Sequence, residues 1–218
     1  IANHNLHSVY LYQRDIKMRM FYERADIIHI DSMPLVYWAR LLGYPVTHDQ
    51  RVTYVDWVHP LLAMAAYQGW RVFYLGGKPG VAARAAEYLR TQYPSLMIAT
   101  HHGYFRPDEN VAILATIADF QPHILMVGMG MPRQEYWILD NLDRIRANAI
   151  LTAGACFDYI AGEIPTPPRW MGRVGLEWLY RLISEPQRLS RRYLVEPWSL
   201  VPLMIKDIQT RFWERNRM

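Results

Sequence analysis

The sequence predicts an α/β protein in which a parallel sheet is sandwiched by helices and followed by a helical, basic C-terminal appendage. Short apolar runs alternate along the chain with longer stretches of helical periodicity, as in proteins built from strand–helix units. Beyond Gly162 the composition changes to proline, arginine and tryptophan, and no further strand–helix unit follows. We therefore predict two domains, an α/β core of residues 1–164 and an appendage of residues 165–218.

Each predicted element follows from its periodicity and from the residues that end it. Gly43 and Gly69 end two helices, because glycine readily adopts the left-handed conformation that closes a helix. Residues 81–92 are rich in alanine, which has the highest helix propensity, and the apolar run 27–30 is typical of a buried strand. In chain order we predict helix 6–24, strand 27–30, helices 34–42 and 57–68, strand 71–75, helix 81–92, strand 96–100, helix 108–120, strand 123–127, helix 132–146, strand 149–151 and tail helices 175–184, 186–195 and 197–217.

Composition limits the class of protein. A chain of 218 residues with 51% hydrophobic and 20% charged residues can bury one substantial core. Cys156 is the only cysteine, so an internal disulfide is impossible and a reducing compartment is favoured. The sequence contains neither the run of about 20 apolar residues that spans a bilayer nor a signal-peptide pattern. We expect a protein that stays on the reducing side of a membrane.

The basic charge belongs to the tail. Residues 165–218 carry 10 Lys and Arg against 5 Asp and Glu, whereas residues 1–164 carry 14 against 15. Arginines beside interfacial aromatic residues suit an anionic membrane surface. A helical hairpin packed on the core, or a contact with a second copy of the chain, would explain the same composition.

Two glycine-rich turns follow predicted strands and suit phosphate binding. In the first, Gly76 and Gly77 precede Lys78; in the second, Gly128-Met-Gly130 leads at once into a helix. Glycine lets backbone N–H groups approach an anion, and a helix N-terminus favours negative charge. The alternative is that the glycines serve only tight strand–helix turns.

Neither turn matches a standard nucleotide motif. Arg133 stands where the dinucleotide fingerprint requires its third glycine, and Pro79 stands where a Walker loop requires Ser or Thr. Because ligands of open parallel sheets bind beyond the carboxyl ends of the strands, polar residues after each strand are the candidates. They are Asn3, Asn5, Asp31, Gly76, Gly77, Lys78, His101, His102, Gly103, Gly128, Gly130, Gln134, Glu135, Gly154 and Asp158.

Asp56 is a candidate general base, because a carboxylate near a pocket can take a proton from a hydroxyl nucleophile. It lies just before the predicted helix 57–68, so it could instead be an N-cap. Asp31 and Asp158 are rivals for the same role. We find no Cys/His cluster with ligand spacing and no Asp-x-Asp pair, so we expect no metal cofactor. Backbone amides and cations such as Lys78 would then offset the charge of a bound diphosphate.

Six motifs in this order resemble the WecG/TagA/CpsF family of bacterial glycosyltransferases over nearly the whole chain. They are Asn5–Ser8, Arg51–Asp56, Phe73–Gly80, His102–Phe105, Val127–Glu135 and Gly175–Leu182. The resemblance implies a Rossmann-like core that binds a nucleotide sugar, and a C-terminal appendage that associates with the membrane. It also implies an inverting transfer from a UDP-sugar to a polyprenyl-diphosphate-linked sugar at the cytoplasmic face of the bacterial inner membrane.

The resemblance assigns roles to residues. The family's base falls on Asp56, the last residue of the R-V-T-x-x-D motif. We expect the nucleotide donor to contact Asn5, Asp31, Gly76, Gly77, Lys78, Gly128, Gly130, Gln134, Glu135 and Asp158. Among the tail arginines, Arg181, Arg191 and Arg192 rank highest for the lipid diphosphate or anionic headgroups.

The sequence says less about the identity of the donor sugar than about the reaction. Family members usually carry glycine where this chain has Tyr54, and often a small apolar residue where it has Trp57. These aromatic residues favour the glucosyl branch, which serves exopolysaccharides such as xanthan and acetan through a β-1,4 linkage. UDP-ManNAc or UDP-ManNAcA, for teichoic acid or common antigen, is the alternative donor.

Two other functional classes fit the sequence less well. A nicotinamide dehydrogenase should show a full G-x-G-x-x-G near the first strand with an acidic residue about 20 residues later, and this chain does not. A binding module for nucleic acid or membrane would explain the basic tail but not the polar residues after the strands. We therefore expect no nucleic-acid partner, while self-association stays open.

Overall fold

The structure, a computed structural model, describes residues 1–173 and 175–215, without the side chains of Arg169, Arg173, Glu214 and Arg215. Parallel strands flanked by helices precede a helical C-terminal region, so the predicted α/β, Rossmann-like fold class is confirmed. The strands are β1 (Ala2–His4), β2 (Ile28–Ile30), β3 (Arg71–Gly76), β4 (Met97–His101), β5 (Ile124–Gly128) and β6 (Ala149–Thr152). The last four form one parallel sheet in the order β4-β3-β5-β6, and β1 pairs with β2 in a separate sheet.

Helices make up most of the remaining chain. They are α1 (Leu6–Arg14), α2 (Ile16–Glu23), α3 (Met33–Leu41), α4 (Tyr54–Gln68), α5 (Val81–Gln92), α6 (Asn110–Phe120), α7 (Arg133–Asn141), α8 (Cys156–Ile160), α9 (Arg169–Arg173), α10 (Glu177–Ser184), α11 (Pro186–Ser190) and α12 (Val201–Arg215). Short 3₁₀ turns occur at His48–Gln50, Pro107–Glu109 and Glu196–Leu200, and one π turn occurs at Arg191–Val195.

Packing divides the described chain into two compact units. The first, here the sheet unit, comprises Ile1–Ala2, Lys17–Ile28 and Tyr54–Thr166; the second unit comprises Asn3–Ile16, His29–Thr53 and Pro167–Met218. The C-terminal segment thus clusters with two stretches from the first 53 residues. The predicted domains, 1–164 and 165–218, divide the chain by function, and that division stays a prediction.

The core of the sheet unit covers both faces of the sheet. All five residues of β5 are buried, which explains its continuous apolar sequence. On one face the rings of Tyr74 and Phe157 stack with centroids 3.7 Å apart, and both side chains are fully buried. On the other face Phe73 contacts the ring of Phe120 edge to face.

Helix α4 starts three residues earlier than predicted. Tyr54, Val58 and Leu62 recur at a spacing of four residues and all are buried, so the core-facing stripe extends to the first residue of the helix. Tyrosine and valine have modest helix propensity, and tertiary packing outweighs it here. Asp56 therefore lies inside the first turn of α4, and the N-cap interpretation is wrong.

Several other predicted boundaries change. The predicted helix 6–24 breaks at Asp15 into α1 and α2, and the predicted strand 27–30 is not buried, since Ile27 and Ile28 are 56% and 48% exposed. Strand β2 pairs with β1 in the two-stranded sheet and lies outside the four-stranded one. Helices α8 and α9 were not predicted. The predicted tail helix 186–195 passes into the π turn, and residues 216–217 of the last predicted helix lie outside the described part of the chain.

Candidate functional site

The carboxyl ends of the parallel strands form one edge of the sheet unit. Gly76 at the end of β3 is opposite Gly128 at the end of β5. Gly77 N–H donates to Gly128 O at 3.2 Å, and Gly103 N–H donates to Gly77 O at 2.9 Å. The two glycine-rich turns and the turn after β4 are thus joined by backbone hydrogen bonds at this strand-end edge.

Gly76 and Gly128 are required by packing. A Cβ atom on Gly76 would lie 2.3 Å from Gly128 O, and one on Gly128 would lie 2.0 Å from the Tyr74 hydroxyl. No side chain fits at either position without moving the backbone or a fully buried ring. The alternative that these glycines serve close packing therefore has direct geometric support, while their predicted contact with a nucleotide stays a prediction.

Gly130 and Gly154 have a different environment. Both have positive φ, +78° and +52°, and a Cβ atom on either would meet no atom within 4 Å. Gly130 precedes α7, and Gly154 follows β6. These turns have open space beside their backbone, which is the arrangement that lets a ligand approach main-chain N–H groups.

Gln134 and Glu135 connect these two turns from within the protein. Their exposed fractions are 2% and 0%, so little of either side chain can reach a ligand. Gln134 Nε2 donates to Glu135 Oε1 at 2.8 Å, and Gly154 N–H donates to Gln134 Oε1 at 3.1 Å. This geometry favours a positioning role for the pair, because it fixes the Gly154 turn against the start of α7.

Lys78 is not an unpaired cation. Its Nζ lies 3.5 Å from Glu163 Oε1, and Arg84 contacts the other oxygen of Glu163 at 2.9 Å. Asp158 lies in the first turn of α8 and is half-buried. Burial raises the pKa of Cys156, and the charge of Asp158 raises that pKa further.

An aromatic and cationic group at the same edge was not recognised in the sequence. The Arg133 guanidinium lies 5.7 Å from the ring centroids of both Tyr104 and Phe105. The His101 ring lies 4.5 Å from the His102 ring, and His101 Nδ1 contacts His102 O at 2.8 Å. Because β4 ends at His101, the alternation of side chains along a strand does not extend to His102.

In the second unit, Asp31 is a carboxylate with an unusual pKa. Burial raises the pKa of Asp31 to about 6, although the hydrogen bond from Asn3 and the charges of Arg181, Arg51 and Arg192 act to lower it. Asn3 Nδ2 donates to Asp31 Oδ2 at 3.1 Å. A carboxylate poised near neutral pH suits general base catalysis.

The cations around Asp31 are themselves held in place. Arg51 makes a two-point ion pair with Glu177 at 2.8 and 3.3 Å, and its side chain is 11% exposed. Arg192 donates to Asn5 Oδ1 at 3.4 Å, and burial together with the charges of nearby arginines lowers the pKa of Arg192. An anion beside these arginines would relieve their mutual repulsion.

The remaining predicted residues are placed as follows. Asn5 caps α1, with its Oδ1 accepting from Ser8 N–H at 3.1 Å, and Arg191 is exposed. Asp56 is exposed on α4. The structure therefore brings Asn5, Asp31, Arg181 and Arg192 together in the second unit, and it places Asp56, Asp158 and the glycine-rich turns in the sheet unit.

Tyr54 and Trp57 do not form an open stacking surface. Their ring centroids are 4.6 Å apart, Tyr54 is 7% exposed, and Trp57 packs partly buried against the core of the sheet unit. Stacking of a sugar on these rings stays a prediction, and little of the Tyr54 ring is open to it. The side chains fill the core because they lie on the buried stripe of α4.

The C-terminal region exposes aromatic residues. Trp198 is 75% exposed, and Phe212 and Trp213 near the end of α12 are 64% and 66% exposed. Within the described residues, every helix is either too short or too polar to span a bilayer. Over the same part of the chain, His, Cys, Asp and Glu nowhere gather in a group of three that could hold a metal ion.

The chain matches a known protein family over nearly its whole length. The model of the glycosyl transferase WecG/TagA/CpsF family matches residues 1–214. Because this match covers nearly the whole chain, the protein belongs to the WecG/TagA/CpsF family of glycosyltransferases, enzymes that move a sugar from a donor to an acceptor.

Proposed function

We propose that the protein is an inverting hexosyltransferase that uses a UDP-sugar donor and a polyprenyl-diphosphate-linked sugar acceptor. The observation that carries this proposal is Asp31, a carboxylate with a pKa of about 6 that is bonded to Asn3 and lies among arginines. Transfer to a hydroxyl needs a base near neutral pH, and the arginines suit a diphosphate-bearing substrate.

The proposed reaction is a single displacement. The base accepts the proton of the acceptor hydroxyl while the hydroxyl oxygen forms a bond to the anomeric carbon. The bond between that carbon and the diphosphate oxygen breaks, and its electron pair leaves with UDP. Because attack comes from the face opposite the leaving group, the configuration inverts and one carboxylate is sufficient.

We assign the base to Asp31, with Asp56 as the alternative. Asp56 is the residue that the family resemblance favours, but its side chain is exposed on α4. Burial makes the Asp31 carboxylate a stronger base than an ordinary aspartate, and Asn3 fixes its orientation. Both features are what a general base requires.

The leaving diphosphate is proposed to bind at the strand-end edge of the sheet unit. Gly130 and Gly154 leave open space beside their backbone, and Gln134 holds the Gly154 turn in place. Main-chain N–H groups of the Gly130 turn and a nearby cation would balance the charge of UDP without a metal cofactor. Lys78 is a weaker candidate for that cation because it shares Glu163 with Arg84.

Glucose is the proposed donor sugar, joined through a β-1,4 linkage in exopolysaccharide synthesis. The support for glucose is the sequence resemblance alone, because Tyr54 and Trp57 lie in or against the core. UDP-ManNAc and UDP-ManNAcA remain the alternative donors.

The proposed location is the cytoplasmic face of the bacterial inner membrane, with peripheral attachment. Trp198, Phe212 and Trp213 expose aromatic surface, and the exposed Arg191 and Lys206 add positive charge to the same C-terminal region. Aromatic residues combined with cations favour the headgroup layer of anionic lipids.

Release of UDP from a panel of donors tests the proposed reaction. UDP-glucose, UDP-ManNAc and UDP-ManNAcA are each supplied with a short glucosyl-diphosphate lipid or a GlcNAc-diphosphate lipid. We expect acceptor-dependent UDP release from UDP-glucose with the glucosyl lipid. Release only from a ManNAc-type donor would replace glucose as the substrate, and no release from any pair would contradict the proposed transferase reaction.

The pH dependence of kcat/KM tests the assigned base. Since Asp31 acts as a base only when it is ionised, we expect kcat/KM to fall about tenfold per pH unit below pH 6 and to be level above it. The unfolding midpoint is measured over the same range to exclude denaturation. A midpoint of the activity profile near pH 4, the ordinary range of aspartate, would argue against Asp31.

A further inference from the structure

Arg133 is a cation at the strand-end edge that the proposed function has not yet used. It is the first residue of α7, it is exposed, and its guanidinium lies against the rings of Tyr104 and Phe105. Within the described residues, Arg133 has neither an ion pair nor a hydrogen-bonding partner for its side chain. Its guanidinium donors are thus available to an anion.

Other cations at this edge are already engaged. Lys78 and Arg84 both contact the carboxylate of Glu163, at 3.5 and 2.9 Å. An anion that bound either of them would have to compete with that carboxylate. Among the described residues no carboxylate competes in this way for Arg133, so it is the better anion-binding cation on this part of the sheet unit.

The position of Arg133 in the chain points to the phosphate of a nucleotide. It lies three residues after Gly130, whose backbone is open on one side, and it directly precedes Gln134. Gln134 in turn accepts the N–H of Gly154, the second open glycine. Arg133 therefore belongs to the structural element that connects the two open turns.

The two rings limit the conformations of a long side chain. A guanidinium is attracted to aromatic faces by about 0.5–1 kcal/mol at an exposed site. Contacts with Tyr104 and Phe105 reduce the rotamer freedom that Arg133 would otherwise lose on binding an anion. An arginine placed on the surface only for solubility would not need two aromatic neighbours.

We propose that Arg133, supported by Tyr104 and Phe105, binds the diphosphate of the nucleotide donor and stabilises it as the leaving group. This inference rests on the proposed function and adds a residue to it. When the bond from the anomeric carbon to the diphosphate breaks, the electron pair stays on the diphosphate oxygen. The Arg133 guanidinium balances that added negative charge, while the acceptor proton passes to the base.

Titration with UDP, UMP and uridine tests this role without any turnover. The proteins are the wild type, Arg133→Ala and Arg133→Lys, with Arg146→Ala as the matched control, because Arg146 is an exposed arginine beyond the other end of α7. We expect Arg133→Ala to weaken UDP binding about 10- to 100-fold, the usual effect of losing a charged hydrogen bond. Arg133→Lys should recover part of this loss, and Arg146→Ala should bind UDP like the wild type.

The phosphate series separates a direct contact from a structural effect. If Arg133 binds the diphosphate, uridine affinity is unchanged in Arg133→Ala and the loss increases from UMP to UDP. Equal loss for uridine and UDP, or UDP binding within twofold of the wild type, would overturn the role of Arg133. Absence of UDP binding by the wild type would instead overturn the proposed donor, and the role of Arg133 with it.

Discussion

Replacing Asp31 by Asn is expected to lower turnover about 10²- to 10⁴-fold, the range that general base catalysis contributes. The amide has nearly the same shape as the carboxylate, but it cannot accept a proton at neutral pH. The measurement is acceptor-dependent UDP release at pH 7.5 with saturating donor. Binding of UDP should stay within about threefold of the wild type, because the groups proposed to bind its diphosphate, the Gly130 and Gly154 turns and Arg133, belong to the sheet unit.

Stability should change in the opposite direction to activity. Burial raises the pKa of Asp31 from 3.8 to about 6, so the folded protein holds this proton more tightly than the unfolded chain does. The contribution of Asp31 to stability is therefore most favourable below pH 4 and decreases as the pH rises through 6. At pH 7.5 the Asn variant should be as stable as the wild type or more stable, by at most about 3 kcal/mol at 1.36 kcal/mol per pKa unit.

The matched control is Asp56→Asn, which changes the exposed carboxylate of α4 in the same way. We expect this variant to keep turnover within about tenfold of the wild type, since Asp31 is the assigned base and Asp56 lies exposed on α4. If Asp56→Asn loses activity while Asp31→Asn keeps it, the base is Asp56, as the family resemblance favours. Loss of activity in both variants would mean that each carboxylate is needed for turnover.

Replacing Gly76 by Ala is expected to destabilise the fold by at least about 3 kcal/mol, the upper end of the usual cost of overpacking. The added Cβ would lie 2.3 Å from Gly128 O and 2.5 Å from the Gly128 carbonyl carbon. These atoms belong to the neighbouring strand, and relief requires separation of β3 from β5. The measurement is the urea midpoint of unfolding, together with the yield of soluble protein.

Gly162→Ala is the control for this experiment. Gly162 has a φ of +70°, and a Cβ there would meet no atom within 4 Å. The substitution therefore destabilises the fold only through the strain of holding alanine in the left-handed conformation. That cost is about 1 kcal/mol. If Gly76→Ala is as stable as Gly162→Ala but no longer binds UDP, the glycine serves the ligand, and the packing argument is wrong.

Local patterns in the sequence were sufficient for the fold class and for several elements. Helix 81–92 was predicted with the bounds that the structure shows, because alanine propensity and buried positions at helical spacing agree there. The strands of the four-stranded sheet were predicted within one residue at either end, because parallel strands buried on both faces are continuous apolar runs. The family motifs then identified a glycosyltransferase, and that assignment is confirmed.

The sequence also shows which chemical group each site residue carries, but it does not show which residues surround that group. Asp31 directly follows β2 and Asp56 lies in the first turn of α4, and no local pattern distinguishes a partly buried carboxylate from an exposed one. Burial raises the pKa of Asp31, and Asn3, Arg181 and Arg192 act to lower it; the two arginines are far away in the chain. In the same way, the sequence does not show that Gly76 lies so close to Gly128 that packing requires a glycine there, whatever its role in phosphate binding.

What the sequence determined by itself was therefore the α/β class, most of the elements and the family, since these depend on residue spacing and on motifs read along the chain. The tertiary structure alone decided that Asp56 lies exposed on a helix, that Tyr54 fills the core, and that Arg133 stands against two rings. The physical reason is that pKa, steric fit and burial are set by distances between residues remote in sequence. Hydrophobic periodicity in the sequence shows only which face of a helix or strand is apolar. It does not show which residues pack against that face.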